Sequence, residues 1–220
     1  MSLFLYLKAE SMAGLAHKPI DPSTEEKIKE AARIIFTQKG FAATRTRDIA
    51  EAAGLNLALL NYYFRSKEKL FDIIMMESLL SFIKGIREIV SNEQSSLDDK
   101  VSVIVNNYID MLIQQPDLPL FILSEVRANP KKLVIKTGIR EVFFQSHFMK
   151  QLQEAISSGA LMPVHPMQFL MNVVGMSVFP FIASPLLRNV GDLTAEEFNE
   201  LMQERKKLVP HWIRLMYRPA

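Results

Sequence analysis

The chain has 220 residues, 49% of them hydrophobic and 23% charged, a globular composition that excludes an intrinsically disordered chain. Its net charge of +2 is too small to indicate a nucleic-acid partner by itself, although residues 1–70 carry +3 and the remaining 150 carry −1. There is no cysteine, which excludes disulfides, thiolate metal sites and cysteine nucleophiles and suits a reducing cytoplasm.

Residues 1–22 read as an N-terminal arm. The apolar run SLFLYL is six residues long and soon followed by Lys8 and Glu10, too short for a membrane span or a secretory leader. Met12 followed by Ala13 and Gly14 is a second candidate for the natural start. Ser23-Thr24-Glu25-Glu26 is a capping box that opens a helix to about Lys39, with Ile28, Ala31, Ala32, Ile35 and Phe36 as its buried stripe and Gly40 as its end.

The next stretch, Thr44 to Lys69, reads as two short helices around a tight turn. Ile49, Ala50 and Ala53 share one face of the first, and Gly54 stops it where the backbone must turn left-handed. Asn56 caps a second helix, Leu57 to Phe64, and Ser66 caps a third with Glu68 in its first turn. A short second helix rich in polar and aromatic groups is the pattern of a helix-turn-helix docking in a major groove. Arg45, Arg47, Arg65, Lys67 and Lys69 flank the pair within reach of phosphates. Asn56, Asn61 and Tyr62 are candidates for base contacts, and Leu57 and Ala58 for contacts with thymine methyl groups. The competing reading for Tyr62 and Tyr63 is core packing, with Tyr63 the one suited to both roles.

From Glu25 to Met76 the chain resembles the N-terminal domain of the tetracycline-repressor (TetR) family of bacterial transcription regulators. The resemblance rests on EKIKEAARIIFTQKGFAATRTRDIAEAAG followed by NYYF and RSKEKLF, in that order. It implies that the first helix braces the helix-turn-helix and that Thr46, Arg47, Tyr63 and Lys67 occupy phosphate-holding positions. The Lys or Ser-Lys and the Thr-Leu-Tyr frequent in family recognition helices are replaced here by Leu57, Leu59 and Asn61. The resemblance therefore carries the fold but not the operator sequence.

From Lys67 a helical pattern continues for over twenty residues, with Leu70, Ile73, Ile74, Glu77, Leu80, Ile83 and Ile86 near one face. Its first half suits the head and its second half a different core, which makes it a mechanical link. Ser96-Leu97-Asp98-Asp99 caps the next helix, to about Gln115, with Val101, Ile104, Val105, Tyr108, Ile109 and Leu112 inward. Pro116 and Pro119 bracket a break before a short helix, Leu120 to Ala128. Asn129-Pro130 then opens a long helix to about Ser157, ended by Gly159.

Ala155 to Leu187 contains no Asp, Glu, Lys or Arg, yet its longest proline-free run, Met167 to Phe179, is 13 residues, short of the roughly 20 that span a membrane. A helix apolar all round is instead expected between helices or in a subunit interface. Thr194-Ala195-Glu196-Glu197 caps the last helix, which Pro210 is expected to bend. Along it Phe198, Leu201, Met202, Arg205, Leu208, Val209, Trp212, Ile213 and Met216 recur at three- and four-residue steps. The family resemblance implies that these two final helices form a four-helix homodimer interface, with Leu170, Val174, Phe181, Phe198, Leu201, Met202, Arg205, Leu208 and Trp212 as its candidates. Apolar surface of this extent is large for a monomer to expose; a plain monomeric core is the alternative.

His17, His147, His165 and His211 show no ligand spacing, and the acid pairs Glu25-Glu26, Asp98-Asp99 and Glu196-Glu197 all sit in first helical turns, where the helix dipole explains them. With no phosphate loop, nucleophile elbow or zinc motif either, neither catalysis nor a metal or cofactor is expected. The sequence thus points to an all-α protein with three parts: the arm, a three-helix DNA-binding domain over residues 23–70, and a helical effector-binding and dimerisation domain over residues 71–220. The expected function is a cytoplasmic repressor released from a double-stranded operator by a mostly apolar small molecule. Tyr108, Glu125, Arg127, Gln145, His147 and Asn172 are the polar groups available to its cavity. The alternative is a regulator with a filled core, constitutive or answering to a protein partner.

Overall fold

The computed structural model describes residues 22–219; the expected arm, apart from Pro22, lies outside the described residues. These form twelve α-helices and no strand. Helix α1 (Pro22–Ala43) hides Ile28, Ala31, Ala32 and Phe36 and is broken at Gly40, whose φ of +72° and ψ of 166° are costly for an L side chain. The break takes the Phe41 N–H out of the helical ladder. Helices α2 (Thr46–Ala52) and α3 (Leu57–Phe64) meet across Gly54 at φ +67°. That turn is closed by Leu55 N–H donating to the Ala50 carbonyl at 2.9 Å and Gly54 N–H to the Glu51 carbonyl at 3.0 Å.

Helix α4 (Lys67–Ser91) belongs to both halves of the molecule. In its early turns Phe71 packs edge-on against Phe36 at 5.1 Å and meets Phe41 at 4.6 Å; further along, Phe82 meets Tyr108 at 4.5 Å. Covered from two sides, α4 buries more than one stripe: Met75, Met76 and Leu79 join Leu70, Ile74, Ile83 and Ile86, whereas Ile73, expected inward, is 40% exposed. Glu77 lies where the pattern placed it because two cations of α1 hold it, Lys29 at 2.9 Å and Arg33 at 2.7 Å.

Helix α5 (Leu97–Gln114) starts at the expected capping box of Ser96 and Asp99. It contains the fully buried Lys100, whose ammonium donates to the Ser95 carbonyl at 2.6 Å and to Gln151 Oε1 at 2.8 Å. Helix α6 (Leu118–Ala128) begins two residues before Leu120, with buried Pro119 in its first turn, where a missing N–H costs nothing. The single long helix expected from Pro130 to Ser157 is instead three: α7 (Pro130–Thr137), α8 (Ile139–Phe144) and α9 (His147–Ser157). Asn129 does not cap the first of them. Gly138 turns left-handed at φ +61°, and the Arg87 guanidinium lies 3.1 Å from where a Cβ would sit. Ser146 then starts α9 afresh by accepting the Met149 N–H at 3.2 Å.

Helices α10 (Pro166–Ile182) and α11 (Ser184–Gly191) are bent by 69° at Ala183, and no single described helix is long and apolar enough to cross a membrane. Helix α12 (Ala195–Met216) starts at the Thr194–Glu197 capping box and runs through Pro210 as one element. It buries Phe198, Met202, Val209 and Ile213, packing chiefly on α5 and α10.

Candidate nucleic-acid interface and ligand cavity

Helix α3 is held by what it buries and offers what it does not. Leu60 and Phe64 are buried, fixing the helix against the head, so Ala58, Asn61 and Tyr62 face outward and are exposed. Asn56 caps the helix with Oδ1 accepting the Leu59 N–H at 2.8 Å, which leaves its amide NH2 group for an outside acceptor. Leu57 is half-buried. Tyr62 and Tyr63 meet edge to face at 5.6 Å, Tyr63 leaning inward toward Phe64 at 6.3 Å. Thr46 is half-buried at the first position of α2 and Arg47 is exposed beside it. Arg45, Arg47, Arg65 and Lys69 are exposed and form no salt bridge among the described residues. Arg65 ends α3 at φ +61°, a strained conformation for a residue with a side chain.

Lys67 differs from its expected phosphate position. Its ammonium donates to the carbonyls of Phe41 at 2.9 Å and Thr44 at 3.0 Å and lies 4.2 Å from the centre of the Phe41 ring. It ties the start of α4 to the end of α1, with one N–H left over. Thr44, buried, adds a bond from Oγ1 to the Gly40 carbonyl at 2.7 Å, and the Lys39 ammonium, bonded to Asp48 at 2.8 Å, holds that carboxyl below its usual range. Apart from the local Thr44–Gly40 bond, none of this bracing is visible as a sequence pattern, because the other bonds join groups that only the fold brings together.

The head is hooked to the rest of the molecule at the start of α6. Asp117 Oδ2 accepts the freed Phe41 N–H at 2.7 Å, and Phe121 meets the Phe71 ring edge-on at 6.3 Å. The same helix walls an apolar cavity of about 330 Å³ with Pro119, Ile122, Leu123 and Val126. A second cavity of about 240 Å³ lies deeper among Ile86, Val101, Phe143, Phe148 and Phe169. Tyr108, Ile139 and Val174 line both.

Of the six polar residues expected to serve a ligand, only Tyr108 lines either cavity. Its hydroxyl has no hydrogen-bond partner among the described residues, and burial pushes it up to about 12. The one other polar lining group is Thr137, whose hydroxyl is committed to the Leu133 carbonyl at 2.8 Å. Glu125 instead faces Asp72, whose carboxyl is raised first by burial and then by the Glu125 charge. Arg127 and Gln145 are exposed, His147 opens α9, and Asn172 donates to Tyr217 Oη at 2.5 Å beside the stacked Phe169 and Tyr217 rings. A helix pattern marks which residues are polar; on these helices the polar residues point away from the apolar interior, as solvation requires.

The expected partner face divides in a similar way. Phe181 and Phe198 are buried and pack edge-on at 6.1 Å, Met202 is buried, and Leu170 and Val174 are turned onto the cavities. These belong to the protomer's own core. Leu201, Leu208 and Trp212 remain exposed, and Arg205 reaches under Trp212 to donate to the Met176 carbonyl at 2.7 Å. Met171, Phe179, Leu186, Val190 and Leu215, also exposed on α10–α12, extend that apolar surface. Among the described residues no three potential metal-ligating side chains converge, and His165 uses Nδ1 to cap α10 by accepting the Met167 N–H at 3.2 Å.

A glycine-turned helix pair with its second helix laid bare beside unpaired arginines is a DNA-binding helix-turn-helix, and the chain is a transcription regulator. Residues 28–74 match the family described as bacterial regulatory proteins, tetR family. The chain is 25% identical over 206 residues to the probable HTH-type transcriptional regulator YttP of Bacillus subtilis, covering 89% of this chain and 95% of that protein. Among solved structures it resembles a TetR-family regulator from Mesorhizobium loti, with a TM-score of 0.60 and 15% identity over 92% of this chain and 100% of that one. It also resembles the regulator FadR from Bacillus subtilis in complex with stearoyl-CoA, with a TM-score of 0.55 and 18% identity over 86% of this chain and 97% of that one. At these identities the two structures speak to the fold.

Proposed function

We propose that the chain is a homodimeric cytoplasmic repressor that leaves its operator when a mostly apolar small molecule fills the cavity. In this reading residues 23–70 are the reading head and residues 71–220 the effector-binding and dimerisation body. The observation that carries it is the double engagement of α6. Four of its residues wall the cavity, while Asp117 just before it and Phe121 within it hold the head. A ligand acts through this link only by favouring one placement of α6 over another, since equal affinity for both shifts nothing. The stearoyl-CoA bound by FadR, a molecule with a long apolar chain, supports an apolar effector here. The open cavities favour this reading over a constitutive regulator with a filled core.

Each protomer sets α3 in a major groove. Asn56, Asn61 and Tyr62 read base edges, Leu57 and Ala58 touch thymine methyl groups, and Thr46, Arg47 and Tyr63 hold phosphates, joined by Arg65 and Lys69. Two protomers join through Leu201, Leu208, Trp212 and the exposed apolar residues of α10 and α11. The test is selection of bound DNA from a random duplex pool, followed by release from the enriched site. A palindrome with half-sites about one helical turn or a modest extension apart is expected. Val174→Trp, which puts a bulky ring at the wall the two cavities share, is expected to keep operator binding and abolish release. A variant still released by the same ligand would overturn the cavity as effector site.

A further inference from the structure

We infer that the effector is an amphiphile whose anionic head rests on a cationic rim formed by α7 and the start of α8. This rests on the cavity being the effector site, and three observations carry it.

The cavity is open where its lining residues Leu123, Val126 and Val134 are each at least 40% exposed, so its mouth lies between α6 and α7. Val134 is also the shared wall with a shallow outer hollow lined by Pro130, Lys131, Ile135, Arg140 and Glu141. A molecule leaving the mouth past Val134 therefore meets Lys131 and Arg140.

The segment that carries the hollow is lopsided in charge, and of its cations Lys131 and Arg140 line the hollow itself, beside Glu141. Residues 127–141 hold five cations, Arg127, Lys131, Lys132, Lys136 and Arg140, and the single carboxylate of Glu141. The whole chain is only +2, so the rest of it is net negative. All five cations are exposed, and none forms a salt bridge or a side-chain hydrogen bond among the described residues. Unpaired like charges on one short segment repel one another, and an anion at the hollow relieves that repulsion.

The interior excludes the opposite orientation. Inside the cavity the polar groups are the Tyr108 hydroxyl and the already committed Thr137 hydroxyl. Burial resists even the ionisation of Tyr108 there, so a carboxylate or phosphate drawn inward would be desolvated without a counter-charge. The chain goes in and the charge stays out.

The shared chemistry is an anionic head, which a carboxylate or a phosphate supplies equally. The test measures binding of dodecanoate, dodecyl phosphate, dodecanol and dodecyltrimethylammonium to the full-length protein by calorimetry, below their micelle concentrations, with Lys131→Ala/Arg140→Ala and Val174→Trp alongside. One or both anions are expected to bind about three- to tenfold more tightly than dodecanol, the range for exposed charge pairs. The double variant should erase that advantage while leaving dodecanol unchanged, and Val174→Trp should lose every chain. Which anion gains more separates a carboxylate effector from a phosphate one. Equal binding of anion, alcohol and cation overturns the rim and leaves the cavity standing. Binding of none of them overturns the cavity reading itself. A double variant that instead weakens operator binding uniformly, with a shallower salt dependence, assigns these cations to DNA phosphates and sinks the proposal.

Discussion

Asp117→Ala tests the hook between head and body. In the wild type the kink at Gly40 leaves the Phe41 N–H without a helical acceptor, and the Asp117 carboxylate takes it at 2.7 Å in a half-buried site. Alanine leaves that donor unpaired. A hydrogen bond to a charged group contributes about 1.5–3 kcal/mol, and partial access of water brings the expected loss to about 1–2 kcal/mol. For a chain of this size that is a fall in Tm of about 2–8 °C, read by circular dichroism at 222 nm. No helix cap confounds the result, because the Asp117 side chain does not cap α6. Asp117→Asn keeps an acceptor in place and should lose less than half as much. Operator affinity without ligand should change little, since α3 and its arginines are untouched, whereas the ligand needed for half-release should rise. An alanine variant with wild-type Tm and wild-type release would refute the idea that this bond couples the two halves.

Other outcomes follow from the same geometry. Arg47→Ala should weaken binding to all duplexes alike and reduce the slope of log K against log salt by about 0.9, the signature of one lost phosphate contact. Lys67→Ala should also weaken binding uniformly, but by loosening the head, so Tm should fall and the salt slope stay put; a shallower slope would return Lys67 to the phosphates. Asn61→Ala should change the ranking of operators in a selection, and an unchanged ranking would remove Asn61 from the reading set. Tyr108→Phe removes an unpartnered hydroxyl from an apolar wall and should leave the free protein as stable or more so at pH 7. The folded Tyr108 is raised to about 12 from an ordinary 10, so the unfolded chain loses its proton first as pH rises. The wild type should therefore lose stability between pH 10 and 12 more steeply than Tyr108→Phe; parallel denaturation curves would contradict this.

The head was legible because its signals are local. Gly54, Asn56 and Ser66 each act within three residues of themselves, through a left-handed turn or a cap, and the structure uses all three as read. The interior of the body was less so. Gly138 lies in a run whose polar pattern continues a helix, and it breaks that helix by turning left-handed at φ +61°, with Arg87, 51 positions earlier, lying against it. Lys100 reads as a surface residue in an amphipathic helix, yet the Ser95 carbonyl and Gln151 satisfy it in the core. Five of the six polar residues expected at the cavity lie off its walls for a related reason, Tyr108 being the one on them. Choosing polar residues on apolar helices selects those facing water, while the cavity is defined by Ile122, Val126 and Val174, which look like any core.

The sharing of α4 between head and body bears on the use of this protein as a part. Heads and bodies of such regulators invite exchange, so that a new ligand controls an old operator. A graft cut at the end of the head, near residue 70, would run through the turn of α4 that carries Phe71 and would part Glu77 from Lys29 and Arg33. It would also orphan the Phe41 N–H unless the incoming body supplied a carboxylate at the position of Asp117. The portable unit therefore runs past Glu77 in α4 and needs an acidic residue entering α6, while Phe82 and the turns beyond it stay with the body. A chimera built to that boundary tests whether control can be transplanted along with the fold.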